Sequence, residues 1–323
     1  MARRSLKSRP VGADQVFRSV SVGSGVVVLA IMTMVGLFLA IRASEALSVS
    51  GTGFVTEHAW EPDGGQFGIV AVLLGTILIG LVAITFALPL AAGTALFISE
   101  YAPRRIERML ITLVDLMAAV PSVVFGLWGM FFLQNHIFTV SRLLSTWFGW
   151  TGVLAVPGAH PENPLDTVTQ YKSSTFLAGI VVALMITPIM CSVMREAFSQ
   201  APVGEREAAL GLGATRWGMV RTVVLPFGKG AIIGGTMLGL GRALGETIAV
   251  YMIMSVIIDI QPYVLKSGGS SISVLIAQRV GDSSALGVSA LMAAGLALFV
   301  LTLIINFGAA TIVARSRSGA ESN

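Results

Sequence analysis

Cysteine, histidine and charge are scarce in this chain of 323 residues. Its one cysteine, Cys191, sits inside an apolar run. A single thiol excludes an intrachain disulfide and leaves no cysteine-based metal site. The histidines, His58, His136 and His160, fall in connecting segments with no ligand-like spacing. No metal site is therefore expected. Charged residues make up 12% of the chain, where a soluble domain usually carries about 25%. The net charge of +4 comes without interleaved basic and aromatic residues, so nucleic acid is not an expected partner. There is no G-x-x-x-x-G-K-[ST] loop to cradle phosphates, so the chain is not expected to hydrolyse ATP or to bind a cofactor of its own. Ser192 and Ser273 have no histidine partner in an apolar run. That leaves no nucleophile–base pair for an intramembrane hydrolase, and no catalytic residue is expected.

What is abundant is apolar surface. Hydrophobic residues are 54% of the chain, with 36 glycines, and they are gathered into runs rather than scattered at core spacing. The expectation is an all-α, polytopic membrane protein with about six spans. A basic tail at 1–19 precedes a first span at Val20–Ile41, which is too long for a cleaved signal peptide. The second span is Gly68–Ile98, with Pro89 inside it. The third is Met109–Leu133, with Asp115 near its start and Pro121-Ser122 in its first half. At that proline a simple kink is favoured over an unwound stretch whose N–H groups would face an anion. Residues 137–156 read as a short interfacial or outer helix, not a span. The fourth span is Thr175–Met194, the fifth Ala231–Ile258 and the sixth Gly287–Ala314. The membrane domain is thus 20–314, and 315–323 is a second tail.

Six spans place both termini on one side. On that side, together with the 195–229 connection, fall 15 of the 21 lysines and arginines, against five on the other and Arg242 within a span. Positive charge favours the cytoplasm, so the termini and 195–229 are expected there. The glycines Gly234, Gly235, Gly239, Gly241 and Gly245 are expected to let helices approach closely.

The charged island Glu205–Pro226 stands out among the apolar runs. Glu205, Arg206, Glu207, Arg216 and Arg221 would not be kept in lipid, so the island belongs in water. Ala208, Leu212, Thr215, Met219 and Val223 recur at helical spacing. Gly211 and Gly213 break the pattern and Pro226 is expected to stop it. Two short helices joined by a glycine turn make a knob suited to a groove on a soluble partner. The blander reading is an ordinary amphipathic helix on the membrane surface. The island resembles the coupling loop of ABC importer permeases in four separated features held in register: Glu207-Ala208-Ala209, Gly213, and Val223-Val224 before Leu225-Pro226. The resemblance implies that these residues seat in a cleft of an ATPase subunit, which supplies the ATP and magnesium chemistry.

Arg242 and Glu246 are four apart on the expected fifth span, which places them on one helical face near its centre. A charge there costs roughly 2.5–3.5 kcal/mol on insertion scales. Two readings stand. The arginine fork faces a pathway for an oxyanion, with the glutamate tuning it, or the two form a structural pair that sets helix contacts. The surrounding Leu238–Thr247 segment resembles phosphate-importer permeases. So do Trp60-x-Pro62 with Phe67-Gly68, Ser99–Pro103, and Pro121–Gly129. The resemblance runs from about residue 15 to 314 and is closest to the PstC type. It implies a type I ABC importer permease fold in the cell inner membrane, a PstA-type second permease, an ATPase dimer and an external phosphate-binding protein. From the residues themselves, the candidates for the substrate pathway are Arg242, Glu246 and Ser122. A permease for sulfate, molybdate or another oxyanion is the alternative, and a secondary transporter without an ATPase is a more distant one.

Overall fold

The computed structural model describes residues 12–159 and 168–318. His160 and the basic positions Arg3, Arg4, Lys7 and Arg9 lie outside them. Helix α1 (Gly12–Ser50) is the longest element and carries the first span. A two-residue hairpin follows, β1 (Trp60–Glu61) antiparallel to β2 (Gln66–Phe67). It is the sheet found among the described residues. Helix α2 (Val70–Leu96) passes through Pro89 and ends in a π turn, Phe97–Tyr101.

The expected third span is corrected. Helix α3 (Arg104–Ala118) stops short of Pro121, and α4 (Ser122–Trp128) restarts beyond it. Helix α4 continues through a π turn, Gly129–Leu133, into α5 (Gln134–His136). The two arms meet at 88°, a break and not a kink. Pro121 holds φ −60° and ψ 141°, extended backbone with no N–H to donate, so the helix cannot carry on. Helix α3 is also amphipathic. Arg104, Arg108 and Asp115 lie on one side, and exposed Ile106, Leu113 and Met117 on the other. Such a helix suits an interface better than a hydrocarbon core.

Residues 137–156 contain α6 (Phe138–Phe148), an 11-residue helix too short to cross. After α7 (Val168–Tyr171), α8 (Thr175–Ser199) forms the fourth span and runs past the expected Met194. Ser174 caps it, accepting from the Leu177 N–H at 3.4 Å. The island gives α9 (Val203–Gly211) and α10 (Arg216–Met219). Here Pro226 does not stop the helix. A π turn, Val220–Val224, joins α10 to α11 (Leu225–Leu244), and Pro226 sits in the first turn of α11. The widened turn absorbs the clash between the proline ring and the preceding carbonyls. The fifth span is therefore Arg216–Leu244, not Ala231–Ile258. After Gly245 come α12 (Ile248–Ile253), an irregular loop to Ser271, α13 (Ile272–Arg279) and α14 (Ala285–Ser318). Among the described residues, five helices are long and apolar enough to cross a membrane, and six if the bent 104–136 pair counts as one.

Helix α8 is the most buried span, with α2 and α11 against it. Helix α1 leans mainly on α14 and stays largely uncovered. Glycine sets these distances. A Cβ added at Gly75 would lie 2.0 Å from the Ser270 carbonyl oxygen, and one at Gly179 2.4 Å from Val82. One at Gly239 would lie 2.6 Å from Met190 Sδ. Of the other glycines expected to act this way, Gly235 meets α8, whereas Gly234 and Gly241 face open space. Gly245 meets only the backbone of its own helix. Gly75→Ala should therefore destabilise the protein by about 1–3 kcal/mol, since backbone must move. Gly241→Ala should change stability by no more than about 0.5 kcal/mol. Thermal unfolding in detergent compares the two.

Candidate functional site

Two places carry the sequence-identified residues. The first is the break between α11 and α12. Arg242 stands in the last turn of α11, not at the centre of a span, and Glu246 lies beyond the helix end. The two do not share a helical face, and no ion pair joins them. Arg242 is exposed and lines a cavity of about 470 Å³ with Ile189 of α8, Leu238 and Gly241 of α11, and Asn306 of α14. Glu246 turns the other way. Its Oε1 accepts the Ala249 N–H at 3.2 Å, which caps the start of α12, and its own carbonyl accepts the Ser273 hydroxyl at 2.9 Å. The ion pair fails because Gly245 is a weak helix former and the carboxylate competes for backbone donors at a new helix start.

Ser122 is half-buried in the first turn of α4. Helix α4 packs on α12 through Gly126, where an added Cβ would lie 2.9 Å from the Ala249 Cα. Ser122 and Glu246 thus belong to adjoining elements. Among the described residues, no hydrogen bond joins Ser122 to either charged residue.

The neighbouring loop was not foreseen as part of this region. Val264, Leu265, Ser270 and Ser271 are buried in it. Gln261 Nε2 lies within donating distance of the Lys266, Ser267 and Gly268 carbonyls at 3.1, 3.1 and 2.9 Å. Thr76 of α2 accepts the Ile272 N–H at 3.0 Å. The turn residues Gly268-Gly269-Ser270-Ser271 were the available signal, with positive φ at both glycines (95° and 133°).

The second place is the knob at 203–219. Gly213 makes its turn with φ 88°, a conformation that glycine adopts freely. The hydroxyl of Thr215 then caps α10 by accepting the Gly218 N–H at 3.1 Å. Glu207 and Ala208 point outward, whereas Ala209 packs against the core. Leu225 also packs inward, and Pro226 is exposed. The apolar positions of the island fall on both sides of the turn, as the two short helices expected there require. Met219 is buried, but Leu212 is 90% exposed, beside exposed Leu210 and Trp217. The knob thus offers water a helix–turn–helix with apolar side chains and charge.

Residues 84–318 match the family of binding-protein-dependent transport system inner membrane components. The chain belongs to that family. With the "Phosphate transport system permease protein PstC 2" of Mycobacterium tuberculosis it shares 35% identity over 315 residues, covering 95% of this chain and 93% of the relative. With the PstC of Haemophilus influenzae it shares 33% identity over 296 residues, covering 90% of each. Among solved structures, a permease chain of the bacterial alginate ABC transporter, crystallised with its pentasaccharide-bound periplasmic protein, superposes with a TM-score of 0.58. The identity is 17%, and the match covers 93% of this chain and 96% of that one. A chain of the inward-facing MetNI methionine transporter gives a TM-score of 0.54 at 14% identity, covering 77% and 95%. The shared fold is the type I ABC importer permease fold.

Gly213→Ala places a Cβ in the left-handed region at a cost of roughly 1–2 kcal/mol. Limited trypsin digestion should then cut faster at Arg216. Gly211→Ala, with open space and ordinary backbone, should leave the cleavage rate unchanged.

Proposed function

We propose that this chain is a membrane-spanning permease subunit of an ATP-driven ABC importer for inorganic phosphate. The observation that carries the reading is the exposed knob at 203–219. Its glycine turn presents Leu210, Leu212 and Trp217 beside Glu207 in a chain otherwise made for lipid. Apolar side chains left in water on a rigid turn mark a docking surface. An ABC ATPase with a matching groove is the partner that the family implies. Phosphate as cargo is supported by relatives named as PstC over nearly the full length. The chain lies in the cell inner membrane with the knob and both termini on the cytoplasmic side, as the bias of arginine and lysine supports. A second permease of the PstA type completes the pathway, and an external phosphate-binding protein delivers to the opposite face. ATP and magnesium belong to the ATPase.

On this reading Arg242 faces the passage, since the residue lines the α8–α11–α14 cavity. A planar fork of donors suits a phosphate oxygen pair. Glu246 and Ser122 do not line that cavity; Glu246 acts on the passage through the α11–α12 break it fixes, and Ser122 stands on α4, which packs on α12. The same features would also admit sulfate or molybdate, and competition by these anions in uptake assays separates the cases.

Labelled-phosphate uptake tests the pathway. Arg242→Gln should abolish uptake while the complex still assembles, and normal uptake would remove Arg242 from the path. Co-purification tests the knob. Glu207→Lys should lower recovery of the ATPase subunit by roughly tenfold, and unchanged recovery would sink the docking role.

A further inference from the structure

Three arginines lie between 205 and 226, and they differ in burial. Arg216 and Arg221 are exposed, whereas Arg206 turns inward. Its Nη2 lies 3.2 Å from Glu100 Oε1, the ion pair found among the described residues. The Glu100 side chain is 4% exposed and that of Arg206 19%. The same Nη2 donates to the Phe198 carbonyl, one residue before the end of α8. Glu100 itself stands in the π turn that ends the second span. One guanidinium therefore joins three elements: the end of α2, the end of α8 and helix α9. Phe198 extends the joint to α11. Its ring packs against Gly228, where an added Cβ would lie 2.4 Å away.

The pair is held at one point only. Glu100 Oε1 and Arg206 Nε make no hydrogen bond, although a guanidinium can grip a carboxylate with two parallel bonds. For stability alone, two apolar side chains of similar size would often serve as well. A single charged contact without hydrogen-bond geometry is not tied to one angle, so one element can pivot without letting go. We propose that Glu100 and Arg206 are positioning residues for transport, a joint through which movement of α9 is passed to the second span. Along the chain a push on the knob reaches α8, which ends four residues before α9, and α11, which continues α10 through the π turn, but not α2. Through Glu100 it also moves the end of α2, which packs along α8, and the two spans shift together.

The proposal rests on the reading of the knob as the seat of the ATPase, and the experiment keeps the two apart. Glu100→Gln, Arg206→Gln, Arg206→Lys and the charge-exchanged Glu100→Arg/Arg206→Glu are each assembled with their partners and reconstituted in vesicles. ATPase recovery, ATP hydrolysis and phosphate uptake are measured on the same samples. Both glutamine variants should keep the ATPase and hydrolyse ATP within about twofold of the unaltered complex, while uptake per ATP falls roughly tenfold. Arg206→Lys should retain most of the uptake, and the exchanged pair should recover it. Unchanged uptake per ATP in the glutamine variants overturns the joint. So does a parallel loss of assembly, hydrolysis and uptake that the exchange does not recover, because the pair then serves folding alone. If the unaltered chain brings down no ATPase, the docking reading fails and the joint falls with it.

Discussion

Every backbone N–H and C=O inside a bilayer must find its partner within the protein, because no water is there to supply one. The long helices meet this demand by themselves. Helices α2, α8, α11 and α14 carry their own hydrogen bonds across most of the body. Where the chain leaves helix geometry, side chains take over. The Glu246 carboxylate caps Ala249, Thr76 receives the Ile272 N–H, and Ser273 covers the Glu246 carbonyl. Gln261 Nε2, with two hydrogens to donate, lies within reach of three successive carbonyls of the loop. The few polar residues in this apolar chain thus cluster at helix breaks, and those breaks are where a transport protein needs irregular backbone.

A second demand is close approach. Membrane helices gain little from apolar burial against each other, since lipid is equally apolar, and depend on tight contact. Glycine supplies it at Gly75, Gly179, Gly228 and Gly239, each against a named neighbour on another element. The contacts at Gly228 and Phe198 lie where the knob leaves the bundle, so the water-exposed segment is anchored to rigid helices. The buried Glu100–Arg206 pair sits at the same junction. The knob is therefore mobile only together with the helix ends to which it is tied.

Much of this was readable in order along the chain. Five of the six expected spans reappear as long apolar helices, the fifth with its bounds moved to Arg216–Leu244, and the glycine turn at Gly213 appears where helical spacing broke. The knob was legible because charge between apolar runs has one physical solution, exposure to water. Three features were not legible. Pro121 produced an 88° break, because helix α3 is amphipathic and its proline-capped successor starts afresh. Pro226 produced no stop, because a π turn absorbed it. Arg242 and Glu246 were placed on one face by counting four residues, and Gly245 ended the helix between them.

By itself the sequence determined the membrane class, the side bias of positive charge and the position of the knob. Each follows from composition and local periodicity, which act over one or two helical turns. Tertiary structure decided which charged residues meet. Glu100 finds Arg206 across 106 positions, and Arg242 is left to a cavity between three helices while Glu246 caps a neighbour. Pairings of that kind depend on how helix ends converge in space, and no local pattern encodes the convergence.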